Sequence, residues 1–322
     1  MSNAAHIRDI LLKRCQLLKS IRSFFYERGF TEVETANLMR TAAPDPNIEP
    51  LDVFVEKSGP FFLHTSPEMG MKKLLASGIE RIFQICKVYR VEEYRQVHNT
   101  EFTMLEWYRE GNYEDTMDET NELVSHIAKD LLHDGGTSYE TRFERFNLKS
   151  LFIQETGINP FGLTKDEFLH EIQSKGFRGM DTTDTLESLF FKLFIQEVEP
   201  CLPKQSPYFV TGWPVFISTM AKTMNDSPHQ VERFELYIGE LEIANGYTEL
   251  VDAREQRARF DADNSLRESR GNRTFPVDEE FLAALDTIND SYSGVSIGVD
   301  RLLMALLGKN TIDDVIPYRF KA

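Results

Sequence analysis

Arg81 to Glu110 reads RIFQICKVYRVEEYRQVHNTEFTMLEWYRE, and this stretch decides the fold. An apolar run, RIFQICKVY, leads into a polar, turn-like stretch with His98 and Asn99, and a second apolar run, FTMLEWY, returns. Two apolar runs joined by a polar turn predict a hairpin of antiparallel strands. Residues two apart on a strand point to the same face. Arg90 and Glu92 therefore present a cation and an anion side by side, and Glu106 and Tyr108 pair in the same way on the returning strand. An arginine fork holds a phosphate at two points, and paired acids hold an ammonium group. One hairpin thus carries groups suited to a nucleotide and groups suited to an amine.

Toward the C-terminus, RFELYIGELEIANGYTEL (Arg233 to Leu250) places Glu235, Glu242 and Glu249 at seven-residue intervals. Odd spacing on one continuous strand alternates faces. A turn at Gly239 separates the first pair, however, and Asn245-Gly246 can bend the chain between the second, so the three acids can converge. Mg2+ bound with ATP uses one or two protein carboxylates together with phosphate oxygens. Further on, SGVSIGVDRLLMALLG (Ser293 to Gly308) is a glycine-rich strand running into an apolar helix at Asp300-Arg301. Glycines before a helix start let backbone amides and Arg301 approach a phosphate.

Toward the N-terminus, Ser66-Pro67-Glu68 starts a helix through MGMKKLLASG: Ser66 caps it, Pro67 suits the first position and Glu68 complements the dipole. Ala43 to Pro50, with three prolines, is a loop between short strands around Glu32-Val33 and Leu51 to Val55. Ile7 to Gly29 has apolar residues at helical spacing and stops at a glycine. Tyr113 to Leu132 predicts an acidic amphipathic helix, Phe143 to Gln196 a helical region, and Asp252 to Gly271 a charged helix. Tyr208 to Ile217, Phe234 to Ile238 and Glu242 to Leu250 predict strands. This order fits an α+β fold, an antiparallel β-sheet flanked by helices, in a single domain over residues 1–322.

Composition narrows the function. The 322 residues include 52 acidic and 36 basic side chains, a net charge of −16. A general nucleic-acid binder would display a basic face instead. Cys15, Cys86 and Cys201 have neither disulfide nor zinc spacing, so reduced thiols and a cytoplasmic setting are expected. His64, His133 and His229 show no metal-ligand spacing either. No apolar stretch is long enough to predict a transmembrane helix, and the N-terminus lacks a signal core, so no membrane partner is expected.

FFYERGFTEVET, YRVE…HNTEFTMLE and GVDR resemble motifs 1, 2 and 3 of the class II aminoacyl-tRNA synthetases. The combination of TSPE, EFTMLEWY, LEIANGYTEL and GVDR is similar to the lysyl branch, and the resemblance covers nearly the whole chain. It implies ATP and Mg2+ as cofactors. Arg90 would hold the α-phosphate and the substrate carboxylate, with Arg301 on the phosphates. Val91 and Glu92 would take the adenine side, His98 and Asn99 the nucleotide, and Phe102 would stack on the base, with Ile243 and Gly298 nearby. Glu235 and Glu242 would bind the Mg2+ of ATP. Glu249 and the Tyr108 hydroxyl would bind the distal ammonium of a lysine-like substrate. Glu68 and Glu106 would hold its other amine, with Ser66, Pro67 and Asn245 lining the same pocket.

Motif 1 begins at Phe24, so the anticodon-binding domain of lysyl-tRNA synthetases is not expected here. The chain therefore looks most like the freestanding members of this branch, which attach lysine or β-lysine to a lysine side chain of elongation factor P. That resemblance implies elongation factor P as the protein substrate, a homodimer, and tRNA as an unlikely acceptor. Two positions depart from the pattern. Ala36 stands where motif 1 carries proline, in the segment that builds the dimer interface. Ser296 stands where lysyl-tRNA synthetases have glycine and the ligases usually alanine, so a side chain narrows the pocket near the substrate α-carbon. Two other functions compete: a lysine-activating enzyme acting on tRNA or a small acceptor, and a catalytically silent regulatory paralogue. The second of these predicts loss of nucleotide ligands, yet Arg90, Glu92, Glu235, Glu242 and Arg301 are all present.

Overall fold

The computed structural model describes residues 3–56, 59–91, 96–132, 139–217, 220–288 and 292–317. Helix α1 (Asn3–Glu27) opens the chain. Its Leu17, Ile21, Phe24 and Phe25 recur at helical spacing and are completely buried, and each such side chain contributes roughly 1.5–3 kcal/mol by leaving water. The helix gives way to Gly29 in the left-handed conformation (φ 75°), and short β1 (Thr31–Glu32) and β2 (Leu38–Met39) follow. The proline-rich stretch is irregular, as expected, and leads to β3 (Asp52–Val55) and β4 (Gly59–Leu63), which with β2 make a small three-stranded sheet.

Helix α2 (Glu68–Leu75) then precedes the hairpin of β5 (Ile82–Tyr89) and β6 (Glu101–Glu110), which pair antiparallel along eight residues. Helix α3 (Tyr113–Leu131) starts at a capping box of Asn112 and Asp115. The region from Phe143 is not purely helical. It begins with β7 (Glu144–Asn147), and α4 (Leu148–Thr156), α5 (Lys165–Ser174) and α6 (Leu186–Leu193) follow. A four-residue strand gives too short a period to read, and only its parallel pairing with β8 (Pro207–Thr211) defines it.

The remaining elements are β9 (Thr223–Met224), β10 (Ser227–Val231), β11 (Arg233–Ile238), β12 (Leu241–Thr248), α7 (Ala253–Ser269), α8 (Glu279–Leu285), β13 (Tyr292–Gly298) and α9 (Val299–Leu306). An eight-stranded sheet forms in the order β1-β5-β6-β13-β12-β11-β8-β7. It is antiparallel except at its two edges, where β1 runs parallel to β5 and β7 parallel to β8. One face carries Phe83, Leu105, Trp107, Phe234, Val295 and Ile297, packed in one core with residues of α1, α3 and α9. The alternation of side chains along each strand leaves the opposite face free for polar groups.

Candidate active site

That opposite face is a continuous polar row. In register across the sheet stand Gln84 on β5, Glu106 on β6, Ser296 on β13, Asn245 on β12 and Glu235 on β11. Beside it runs a second row of Tyr108, Gly294, Tyr247 and Arg233. Strand β12 reaches this arrangement through a bulge. Leu236 pairs with Ala244 and Tyr237 with Glu242, so Ile243 is an extra residue. The extra residue shifts the alternation by one, so Glu242 joins the face of Asn245 and Tyr247. Convergence therefore comes from this bulge and from the turn at Gly239 (φ 61°). The bend expected at Asn245-Gly246 is absent: both residues lie inside β12. Gly246 instead lets Val295 and Phe234 close in, where a Cβ would lie 2.3 Å from the former.

A cavity of about 210 Å3 opens on this face, lined among others by Ser66, Glu68, Glu106, Tyr108, Tyr247 and Glu249. Its acids are tightly engaged. Ser66 Oγ donates to Glu106 Oε2 at 2.7 Å and the Tyr108 hydroxyl donates to Glu106 Oε1 at 2.6 Å. Tyr247 donates to Glu68 Oε1. Lys72, one turn after Glu68 on α2, places its ammonium 2.6 Å from Glu68 Oε1 and 2.5 Å from Glu249 Oε2. Glu249 Oε1 has no hydrogen-bond partner among the described residues. It lies over Gly294, where a Cβ would sit 2.6 Å from it and 2.3 Å from the Tyr108 ring. Only glycine leaves both groups in place there.

The electrostatics follow from crowding acids in a dry site. Burial, then Glu68, push Glu106 up to about 7. Burial pushes Glu249 up to about 8; Lys72 opposes the rise, and Glu68 and Glu106 add to it. Burial works against the Lys72 charge, but Glu249 and Glu68 outweigh it and raise its proton affinity. The empty cavity thus holds extra protons that a bound cation would displace.

A second cavity, of about 170 Å3, adjoins the first and is lined by His98, Asn99, Phe102, Glu242, Ile243, Gly298 and Arg301, among others. Ile48, Arg90, Asn245 and Ser296 line both cavities, so the two chambers meet at these side chains. Arg90 lies just past the end of β5 rather than on it, donates from Nε to Thr65 O at 3.1 Å, and sits 5.3 Å from the Phe102 ring centroid. Arg301 is held by the carbonyls of Val97 and Glu242, each at 3.3 Å. Asp300 beneath it accepts from Arg14 of α1 at 2.5 Å and from the Thr103 amide at 2.7 Å. This chamber offers cations and an aromatic face, the groups a nucleotide needs.

Among the described residues, no group of three or more acidic, histidine or cysteine side chains could hold a metal alone. A divalent ion here would take most of its ligands from phosphate oxygens, as Mg2+ with a nucleotide does. Glu242 lines the second cavity. Glu235 lies on the same sheet face, engaged by Arg233 at 2.5 Å and the Tyr237 hydroxyl at 2.6 Å. Burial first and Glu242 second push its carboxyl up to about 7, which marks the two acids as neighbours. Glu242 offers such an ion one carboxylate at the second cavity, while its neighbour Glu235 lines neither cavity and has both oxygens engaged by Arg233 and Tyr237.

Most of the residues singled out in the sequence therefore meet around the two chambers. Glu92 and His133 lie outside the described residues. Pro67, not Ser66, takes the N-cap position of α2 and makes no capping hydrogen bond, Val91 has an exposed side chain, and neither these two nor Glu235 lines a cavity. The Tyr108 hydroxyl, expected beside Glu249, donates to Glu106 instead. Three participants escaped the sequence reading: Lys72, Tyr247 and Arg233. The four-residue step from Glu68 to Lys72 on a helix was a legible ion-pair signal. Nothing local marked Tyr247 or Arg233, because their roles depend on which strands pair.

Comparison with known proteins agrees with this geometry. The family described as tRNA synthetases class II (D, K and N) matches residues 2–321. A relative from Haemophilus influenzae (strain PittGG), named "Elongation factor P--(R)-beta-lysine ligase", is 38% identical over 314 residues, covering 96% of this chain and 94% of the relative. Proteins of the same name from Avibacterium paragallinarum and Salmonella paratyphi B are 36% and 35% identical over 316 residues, again covering 96% of this chain and 94% of each relative.

Proposed function

The chain belongs to the class II tRNA synthetases (D, K and N), and from that membership we propose that it is an ATP-dependent ligase acting on elongation factor P. It activates lysine or (R)-β-lysine as an acyl-adenylate and transfers the acyl group to a lysine side chain of the acceptor protein. The observation that carries this reading is the junction of two chambers at Arg90, Asn245 and Ser296: an acidic one sized for a diamine, and a cationic one with an aromatic wall. The names of the relatives, at 35–38% identity over most of both chains, point to the same acceptor.

In the first step the substrate ammonium groups sit against Glu68, Glu106 and Glu249, which turns its carboxylate toward Arg90. A carboxylate oxygen attacks the α-phosphorus of ATP, the new O–P bond forms, and pyrophosphate departs with the electrons of the broken P–O bond. Arg90 and Arg301 offset charge that builds on the phosphate oxygens, and holding the reactants in line supplies much of the rate. Glu235 and Glu242 would hold the Mg2+ of ATP, which neutralises phosphate charge. In the second step an acceptor lysine amine attacks the acyl carbon, AMP leaves, and the amine gives its proton to solvent. We infer a homodimer from motif 1 and a cytoplasmic setting from a translation factor as acceptor.

The test offers each lysine isomer with ATP to the enzyme, with purified elongation factor P or tRNA as acceptor. Intact mass of the protein should rise by one acyl residue, and the gain should vanish when its acceptor lysine is replaced. Ligation should slow as salt rises, because docking through a local charged patch around the pocket mouth is guided by attraction. Salt-sensitive acylation of tRNA with an unmodified protein would overturn the proposal.

A further inference from the structure

Lys72 is completely buried, stands behind Glu68 and Glu249, and does not itself line the cavity. A lysine in such a place is costly unless its charge is matched, and here it is matched twice, by Glu68 and Glu249. The groups that face this centre come from every neighbouring element: Glu68 on α2, Glu106 and Tyr108 on β6, Tyr247 on β12 and Glu249 just after it. The thioether of Met220 lies 3.8 Å from the ammonium and carries no charge. Toward α8, the acids Asp278 and Glu280 are taken by Lys73, not Lys72. Arg90 and Arg233 line the same cavity, but Arg90 reaches the junction with the nucleotide chamber and Arg233 is committed to Glu235. Asp45 and His64 also line the cavity, but Asp45 interacts with Arg90 and Arg233 and the His64 ring bonds to the Lys87 carbonyl, so among the described residues the amine end around Lys72 contains three carboxylates and a single ammonium.

We infer that Lys72 is a positioning residue for amino-acid selection, an internal counter-ion that leaves the pocket, with its acids ionised, two uncompensated negative charges. A substrate carrying two ammonium groups closes that gap, and one carrying a single ammonium does not. Neither Glu249 oxygen has a hydrogen-bond partner among the described residues, but Oε2 has the Lys72 ammonium 2.5 Å away as an ion partner, which leaves Oε1 over Gly294 as the acceptor for the substrate. The inference rests on the amine-pocket reading above and adds to it a residue that no substrate atom touches.

Three variants separate charge from shape: Lys72→Met and Lys72→Gln remove the ammonium, and Lys72→Arg retains a cation. Each is assayed by amino-acid-dependent ATP–pyrophosphate exchange across pH, with ATP KM as the control for an intact nucleotide chamber. Without the counter-ion the three acids repel more strongly and hold their protons to higher pH. Both uncharged variants should raise KM for the diamino acid at least about tenfold and move its acid limb upward by about one pH unit, with ATP KM unchanged. Lys72→Arg should keep the limb of the unaltered enzyme. An unmoved limb in the uncharged variants overturns the inference, as does a Lys72→Gln enzyme that behaves like the parent. If neither uncharged variant melts cooperatively with ATP present, Lys72 is structural and the inference fails. Failure of the unaltered enzyme to exchange with either lysine isomer would instead overturn the function proposed above.

Discussion

The two chambers of the site are built on opposite plans. In the amine chamber, Ser66, Tyr108, Tyr247 and Lys72 already hold both oxygens of Glu106 and one oxygen each of Glu68 and Glu249 before any substrate arrives. In the nucleotide chamber, Arg301 is held, among the described residues, by backbone carbonyls at 3.3 Å and by no carboxylate. The first plan selects: buried charges fixed in place reward one arrangement of cations and penalise others. The second plan stabilises: a cation not neutralised by an acid is ready for charge that develops on phosphate. Changes at the amine end should therefore act on recognition of the amino acid, and changes at the nucleotide end on the chemical step.

The largest expected effect tests the first half of that contrast. Glu249→Gln removes the carboxylate proposed to face the distal ammonium and strips Lys72 of one partner, a loss on the order of 3–5 kcal/mol. Lysine-dependent pyrophosphate exchange should fall by about two to three orders of magnitude while ATP binding, read by calorimetry, stays nearly intact. Exchange at the parent rate would remove Glu249 from the pocket.

Next comes Arg301→Ala, which should lower kcat by roughly a hundredfold with little change in amino-acid KM. A variant that instead raised amino-acid KM at constant kcat would erase the division of labour between the chambers.

Acidity offers a milder probe of the same contrast. Glu106 and Glu249 must be ionised to hold ammonium groups, yet their affinity for protons is raised to about 7 and about 8 in the empty cavity. Amino-acid KM should climb as pH falls through that range, and binding should release protons, which calorimetry in buffers of different ionisation enthalpy would count. The stability consequence has the opposite sign. A carboxyl whose folded affinity for protons is raised stabilises the fold below its unfolded pKa, and that contribution disappears as pH rises through the folded value. The melting temperature of the empty protein should therefore drop on raising pH from about 6 to 9, and bound lysine should reverse the drop. A flat profile for both quantities would mean the acids are not crowded.

Ser296→Gly is the smallest perturbation and lies at the junction itself. Its hydroxyl points to Asn245 O at 3.4 Å, so removing the side chain leaves the sheet intact and widens the space at the α-carbon. One or two heavy atoms alter discrimination by roughly 1–3 kcal/mol, so activity with α-lysine relative to β-lysine should rise at least several-fold. An unchanged ratio of kcat/KM values would rule out Ser296 as the selector.

Much was readable from local pattern. The apolar period of α1, the hairpin around His98, the loop over residues 43–50 and the run from Ser293 into α9 all followed from spacing, caps and turn residues. Those signals are local because helices and turns are formed by neighbours in the chain. Residue types at motif spacing likewise brought Glu106, Tyr108, Glu249 and Arg301 forward as candidates.

What local pattern could not decide is set by pairing between distant segments. Strand β7 is identified by its parallel partner β8. Residue 243 is an extra residue because of the register β12 takes against β11, and that single step turns Glu242 to the site face. Tyr247 reaches Glu68 across 179 positions of sequence, and Lys72 meets Glu249 only once α2 packs over the sheet. The chain alone determined which side chains carry charge and which segments become strand or helix. The tertiary structure decided which charges share a desolvated space, and hence which neutralise one another and which wait for a substrate.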